Sequence, residues 1–508
     1  MKPSITIVLV SALSCAVPAS AQEEHSHPPP EKLGTVVFAT TCAQSVTGDF
    51  EHAVALLHSF AYTASEDAFR KIAAADPTCA MAHWGVAMSY FHQLWTPPGA
   101  ADLSKGQVEI GQAIRLNARS ERERQFIAAT AAYYRDFDHS PHSARAKAYE
   151  DAMSIVARSN PTDIEAQVFY ALSLIVTAAP EDRSHANQKR AAAILEPIYR
   201  DHPDHPGAAH YLIHAYDSAE LAPRGLSAAR AYSKIAPSAP HALHMPSHIF
   251  TRLGLWDDSI VSNIAARTAA HAQGDLGEEL HSMDYLVYAY LQRGQQADAE
   301  QVVKALGTMG ELRGPDFKIG YAATVMPVRL AMERRNWDAA VTLAPLPDSA
   351  PHVSAIVYWA RAVANSRAGR PQAASEDIAR LEESRRQLQA GGNTYWATQV
   401  GVLGKEAAAW QLAAGSQSDK AIQQLEQAAN EEDALEKLPV TPGPIVPARE
   451  QLGDLFLALN RPKQALQAYQ AALVSAPGRR GALTGAARAA DLVGDSETAH
   501  QMRAVLSN

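Results

Sequence analysis

The chain has 508 residues, with 45 Lys and Arg against 54 Asp and Glu, so its formal net charge is −9. This length suggests about three ordinary domains or one elongated array. Hydrophobic residues make up 47% and charged residues 19%, which excludes a disordered chain and a membrane-embedded one. The acidic balance argues against nucleic acid as a partner, because phosphate binding needs clustered Lys and Arg.

The first 21 residues have the features of a secretory signal peptide. An early charge, Lys2, is followed by an apolar run over residues 5–17 and by the small-residue ending Ala19-Ser20-Ala21. The apolar run is too short to span a membrane. The pattern predicts cleavage after residue 21, a periplasmic or secreted protein without stable membrane insertion, and a flexible leader over residues 22–39.

Two cysteines, Cys42 and Cys79, remain once the predicted signal is removed. An even pair in an oxidising compartment predicts a disulfide. It would close a loop of 37 residues and constrain the unfolded chain by roughly 3 to 4 kcal/mol. The alternative, a thiolate metal site or a reactive cysteine, is disfavoured because no Cys-x-x-Cys spacing is present.

A pattern with a period of 34 residues runs along the chain. Its clearest unit consists of Leu452, Gly453, Phe456, Ala465, Tyr469, Ala472 and Pro477. In such a unit, small residues let two antiparallel helices approach, large apolar residues fill the space between them, and proline ends the second helix. The spacing resembles that of a tetratricopeptide repeat. Further prolines, at 77, 161, 203 and 237, fix the frame of earlier units.

The resemblance covers most of residues 40–506 and implies an all-α solenoid, a right-handed superhelix of antiparallel helix pairs. Segments 79–85 and 241–248 are similar to those of exported bacterial repeat proteins of unassigned role. We predict repeats over residues 40–437, a proline-rich connection over 438–447 and further repeats over 448–508. These segments form one continuous array and not independently folding domains.

Histidines are concentrated in one part of the array. Eight of the 20 lie between residues 205 and 284, where an even distribution would place about three. His210 and His244 are 34 residues apart, and so are His214 and His248. In the resemblance, these positions lie on the inner helices that line the concave groove. His58 and His92 share the same separation; they either line the N-terminal end of the groove or, as we favour, take part in ordinary packing between repeats.

Two His pairs at i, i+4 on neighbouring helices can converge on one metal ion. The spacing itself chelates metals, and packed helices lie about 8 to 10 Å apart. The predicted ligands are His210, His214, His244 and His248. Such ligands suit a divalent transition metal, and the sequence does not distinguish zinc, copper, nickel and iron. The candidate acid and base groups around the site are Asp217, His241, His281 and Asp284.

Three functions remain open at this stage. The first is a binding module whose concave groove holds a peptide, a protein or a small molecule through the metal site. The second is a metal-dependent enzyme acting on a small substrate, and the third is a metal-free scaffold for partner proteins. The sequence contains no phosphate-binding loop, no Gly-x-Ser-x-Gly turn and no dinucleotide fingerprint. Whether the protein is an enzyme is therefore left undecided.

Overall fold

The computed structural model describes residues 31–92, 97–310, 312 and 317–507. The predicted signal peptide, residues 1–21, lies outside the described residues, as does the first half of the predicted leader, residues 22–30. Residues 32–508 form one unit. Its described residues form helices joined by turns and contain no β-strand, so the predicted all-α helical-repeat fold is confirmed.

The α-helices follow one another along the unit with short connections. In chain order they are α1 (Thr47–His58), α2 (Tyr62–Ala75), α3 (Ala80–Ser89), α4 (Ala100–Leu116), α5 (Glu121–Tyr134), α6 (His142–Ser159), α7 (Ile164–Val176), α8 (Ala186–Asp201), α9 (Pro206–Tyr216), α10 (Ala222–Ile235), α11 (Pro240–His244), α12 (Pro246–Leu253), α13 (Trp256–Gln273), α14 (Leu276–Arg293), α15 (Gln296–Ala305), α16 (Phe317–Glu333), α17 (Trp337–Val341), α18 (Pro351–Arg367), α19 (Ser375–Ala390), α20 (Thr394–Ala414), α21 (Ser418–Asp433), α22 (Ala448–Ala458), α23 (Pro462–Ser475), α24 (Arg480–Val493) and α25 (Ser496–Ser507). Short 3-10 helices cover Gln44–Val46, Leu306–Thr308 and Pro371–Ala374.

Small residues bring the helices of a repeat together. Tyr469 on α23 is fully buried, and its ring lies against glycines of α22 and α24. A Cβ atom added to Gly453 would lie 2.6 Å from that ring, and one added to Gly485 would lie 2.2 Å from it. These glycines are therefore required for the close approach, which is the packing that the repeat pattern predicts. Buried apolar residues of the unit form three clusters, over residues 33–250, 256–326 and 321–489.

The segment that precedes α1 is packed onto the repeats. Leu33, Val36 and Phe38 are buried, although they lie within the predicted leader. The backbone N–H of Thr35 donates to the carbonyl of Asp204 at 3.0 Å. The Sγ atoms of Cys42 and Cys79 lie at bonding distance in the predicted pairing.

The proline-rich segment 438–447 lies against α14 and α16. The Tyr285 hydroxyl contacts the carbonyls of Pro439 and Thr441 at 3.1 and 3.2 Å. The Arg329 guanidinium donates to the carbonyl of Pro444 at 3.2 Å. This segment therefore covers the helix that carries His281. Within the described residues we find no helix with the length and apolar character needed to cross a bilayer.

Candidate metal centre

The first two histidines of the cluster lie on α9, which is buried along its whole length. Pro206 occupies the first turn, where a missing N–H costs nothing, and the His205 ring accepts a hydrogen bond from the Ala208 N–H. These features cap the helix and fix its N-terminus at residue 206. His210 and His214 follow on one face, one turn apart.

Three more histidines lie on the short helices α11 and α12. Pro246 separates these helices, since it has no N–H to continue the hydrogen bonds of α11. Gly254 ends α12 with a φ of +70°, a left-handed conformation that suits glycine. His241 and His244 therefore belong to one short helix and His248 to the next, so a single straight helix does not fix their directions.

The sixth histidine, His281, lies on α14. The Asp275 side chain caps this helix by accepting from the Glu278 N–H at 3.0 Å. Like α9, α14 is buried on nearly all sides. The six imidazoles are therefore placed by the central helices of the unit and are at most 6% exposed.

His210, His214 and His241 form one group, called triad A below. The Nε2 atom of His210 lies 3.1 Å from Nε2 of His214 and 3.2 Å from Nε2 of His241. Each of the three rings offers a nitrogen within 4.8 Å of the others, which is close enough to hold one metal ion. Phe60 covers this group, with its ring centroid 4.4 Å from that of His210.

His244, His248 and His281 form a second group, called triad B. The Nε2 atoms of His244 and His248 are 3.0 Å apart. The His281 ring centroid lies 4.3 Å from that of His244, and the three offered nitrogens again lie within 4.8 Å of one another. Tyr285 closes one side of triad B, with its ring centroid 4.7 Å from that of His244.

The two triads are immediate neighbours. Ring centroids are 5.9 Å apart between His214 and His248, and 6.2 Å apart between His241 and His244. Within triad A the spacing between His214 and His241 is 6.4 Å, so contacts across the triads are as short as contacts inside them. The geometry is that of one paired centre and not of two remote sites.

In four of the rings, the Nδ1 atom faces an oxygen of the surrounding protein. The Nδ1 partners are the His58 carbonyl for His210 (2.6 Å), Glu278 for His241 (3.2 Å), the Asn263 side-chain oxygen for His244 (2.6 Å) and Asp217 for His248 (2.9 Å). Each of these oxygens is an acceptor, and the Asn263 amide nitrogen is occupied in donating to the Ser259 carbonyl. The proton of each ring is therefore on Nδ1, which leaves a lone pair on Nε2.

These tautomers make acceptor atoms face each other. Nε2 of His244 points its lone pair at Nε2 of His248, and Nε2 of His210 does the same toward His241. A second proton on His244 or His248 is disfavoured, because burial lowers the pKa of both rings below the ordinary value, and burial lowers the pKa of His210 in the same way. Two lone pairs at about 3 Å repel each other, and a cation bound between them removes the repulsion.

The carboxylates that hold the rings are themselves paired with cations. Arg252 and Lys437 contact Asp217 at 2.8 and 2.9 Å, and Lys318 contacts Glu278 at 2.5 Å. Burial by itself raises the pKa of Asp217, but the charges of Lys437 and Arg252 outweigh it and hold that pKa well below the usual value. Burial also lowers the pKa of Lys437 to about 8.

The sequence-predicted residues all lie at or beside this centre, but their grouping differs from the prediction. The four predicted ligands fall into two triads, each completed by a histidine for which an acid or base role was predicted, His241 or His281. Asp217 holds His248 in place. Asp284 contacts Arg329 at 3.5 Å, and burial raises its pKa to about 6. Sequence reasoning did not find Glu278 or Asn263.

A separate buried cluster contains His58, Glu165 and His205, and its nitrogen and oxygen atoms are also close enough for a metal ion. Here, however, the Glu165 carboxylate accepts from His58 at 2.8 Å and from His205 at 3.0 Å. The second ring nitrogens face the Tyr211 hydroxyl and the Ala208 N–H. Because every ring nitrogen has a complementary partner, this cluster is a complete hydrogen-bond network without a metal.

No protein-family model and no curated protein matches the chain. Among solved structures, a human IFIT1 dimer with m7Gppp-AAAA is similar at 12% identity over 84% of this chain and 89% of that chain, with a TM-score of 0.34. The structure of Naa15/Naa10 bound to HypK-THB is similar at 13% identity over 91% of this chain and 63% of that chain, with a TM-score of 0.25. Likenesses at this level assign no ligand to this chain.

Proposed function

We propose that this protein binds two transition-metal ions side by side, one in triad A and one in triad B. The observation that carries the proposal is the pair of facing Nε2 lone pairs in each triad, between His210 and His241 and between His244 and His248. Their tautomers are fixed by oxygen acceptors on the opposite ring nitrogens. A metal-free scaffold would gain nothing from this arrangement.

The donor set favours a reactive metal centre over a purely structural one. Structural zinc sites are closed by four protein ligands, whereas catalytic sites keep three protein ligands and an open position. Each triad supplies three imidazoles. A small molecule can therefore bind each metal directly, and we propose that the repeat unit holds its ligand through these metals.

We also propose that the protein works in an oxidising compartment outside the cytoplasm. The pairing of Cys42 with Cys79 supports this, since such bonds persist in the periplasm and outside the cell. The signal-like pattern of residues 1–21 agrees with it. Mass spectrometry of the exported protein is expected to show a chain that starts after residue 21 and two cysteines that resist alkylation until reduced.

Metal content tests the proposal directly. We expect the full-length exported protein, purified without a polyhistidine tag, to contain two transition-metal ions per chain by elemental analysis. His241→Ala and His281→Ala each remove one ligand of one triad and are expected to lower the content to about one ion, because a two-ligand site binds metals weakly.

The matched control is His352→Ala, since His352 is also buried but stacks on Trp396 outside the two triads. We expect this variant to keep both ions. Circular dichroism establishes that each variant is folded. Metal content at background level in the folded parent protein, even after incubation with copper or zinc and desalting, would refute the proposal.

A further inference from the structure

The six ligands of the paired centre carry no negative charge. All of them are imidazole nitrogens, and neither triad includes a carboxylate ligand. The nearest acids, Asp217 and Glu278, contact the histidines from behind and are neutralised by Arg252, Lys437 and Lys318. The protein therefore supplies little negative charge to compensate two metal ions in adjacent sites.

This charge balance discriminates between metals. The repulsion between two divalent ions is about four times that between two monovalent ions at the same separation, because Coulomb energy scales with the product of the charges. Copper is the imidazole-binding transition metal with a stable monovalent state, and it also stands highest in the affinity order of divalent ions. The ligand set thus suits a pair of copper(I) ions.

The burial of the centre restricts what can reach the metals. The six histidines are at most 6% exposed, and the rings of Phe60 and Tyr285 cover the two triads. A bulky substrate would have to displace these side chains, whereas a diatomic molecule needs only small fluctuations of the packing. The open coordination positions of the two sites are therefore best suited to a small ligand shared by both metals.

From these observations, and resting on the two-metal proposal above, we propose that the centre holds two copper ions and binds dioxygen between them. Each copper(I) gives up one electron, and dioxygen takes both electrons to become peroxide bound to two copper(II) ions. No proton is consumed, and the summed charge is +2 before and after the step. Because the total charge does not change, the same fixed protein charges can accommodate the copper(I) pair and the peroxide-bound copper(II) pair.

The experiment uses the full-length protein loaded with two equivalents of copper(I) under anaerobic conditions. On adding measured dioxygen, we expect uptake of one molecule per two coppers and a new charge-transfer absorption. We also expect no electron paramagnetic resonance signal of isolated copper(II), because the two spins couple through the bridge. Protein loaded with zinc should take up no dioxygen.

Variants separate this inference from the proposal on which it rests. His281→Ala should keep about one copper, lose the dioxygen uptake and show a copper(II) signal after oxidation, since one copper supplies only one electron. His352→Ala should behave as the parent protein. Two bound coppers without dioxygen uptake would overturn the inference and leave the metal proposal standing. Failure to bind copper at all, measured by elemental analysis, would overturn both.

Discussion

The described residues contain two kinds of buried histidine cluster, and they differ in what their ring nitrogens face. In the cluster of His58, Glu165 and His205, the carboxylate accepts one N–H from each ring. In the paired triads, Nε2 atoms face other Nε2 atoms at 3.0 to 3.2 Å. Proximity alone gives both clusters the dimensions of a metal site. The two clusters differ in hydrogen bonding: donors and acceptors are matched in the Glu165 cluster, whereas acceptor atoms face each other in the triads.

The two clusters are also physically connected. The His58 ring belongs to the Glu165 network, while its backbone carbonyl accepts from Nδ1 of His210 in triad A. The network thereby fixes the position of one ring of triad A. We infer that the Glu165 cluster is a structural support for the centre. Variants of the cluster and of the triads can distinguish this supporting role from a role in binding metal.

The largest effect on stability is expected from Glu165→Ala. This change leaves two buried imidazole N–H groups without their acceptor, and at about 1–3 kcal/mol for each unsatisfied buried donor the loss is about 2–6 kcal/mol. We expect the free energy of unfolding, measured by urea denaturation, to fall by this amount. If the variant is folded at low denaturant, its metal content should remain at two ions per chain.

The control for this prediction is Glu376→Ala. Glu376 pairs with Arg380 on the exposed face of α19, where solvent screens the charges and the pair contributes little to stability. A folded Glu165→Ala protein that has lost metal from both triads would show that the cluster is part of the binding site. That result would contradict a purely supporting role for the Glu165 cluster.

A smaller effect is expected from the carboxylates that hold the metal-facing rings. Asp217→Asn and Glu278→Gln keep the shape of each side chain but remove its charge. Loss of such partners typically weakens metal affinity by about 10–100-fold. Competition with a metal indicator should show this loss for triad B in the first variant and for triad A in the second, and equal weakening of both triads would contradict the assignment.

Much of the fold follows from the sequence because local rules and the repeat period agree. The unit around Tyr469 has glycine where helices must touch, large side chains where space must be filled and proline where a helix must end. These requirements act within 34 residues, so they can be read from spacing. Packing of the segment around Phe38 onto distant repeats is set by contacts far apart in sequence, and the spacing contains no sign of it.

The candidate site, like the fold, is predictable from the sequence in part. His210, His214, His244 and His248 stand out because their spacing equals the repeat period. Their division into two triads does not follow the break at Pro246, since His241 and His244 lie on the same helix, α11, and belong to different triads. The cover supplied by Phe60 and the hydrogen bonds from Glu278 and Asn263 arise from tertiary packing. Binding of metal by any of these residues stays a prediction.

The smallest effect is expected from mild acid. Burial lowers the pKa of His210, His214, His244, His248 and His281 below the ordinary value of about 6.5. A base with a lowered pKa stays neutral to a lower pH, so protons begin to displace the metals only below about pH 6.5.

Stability of the metal-free protein should respond in the same direction. Below about pH 6.5 the unfolded chain binds protons that the folded chain does not, so the free energy of unfolding falls as the pH falls, by about 1.4 kcal/mol per pH unit for each such histidine. Urea denaturation of the metal-free protein at several pH values should show this fall. For the metal-loaded protein, elemental analysis after dialysis should show both ions retained near neutrality and lost in stronger acid. Release that begins above about pH 6.5 would mean that the rings titrate as exposed histidines do, and would contradict the buried, preformed centre.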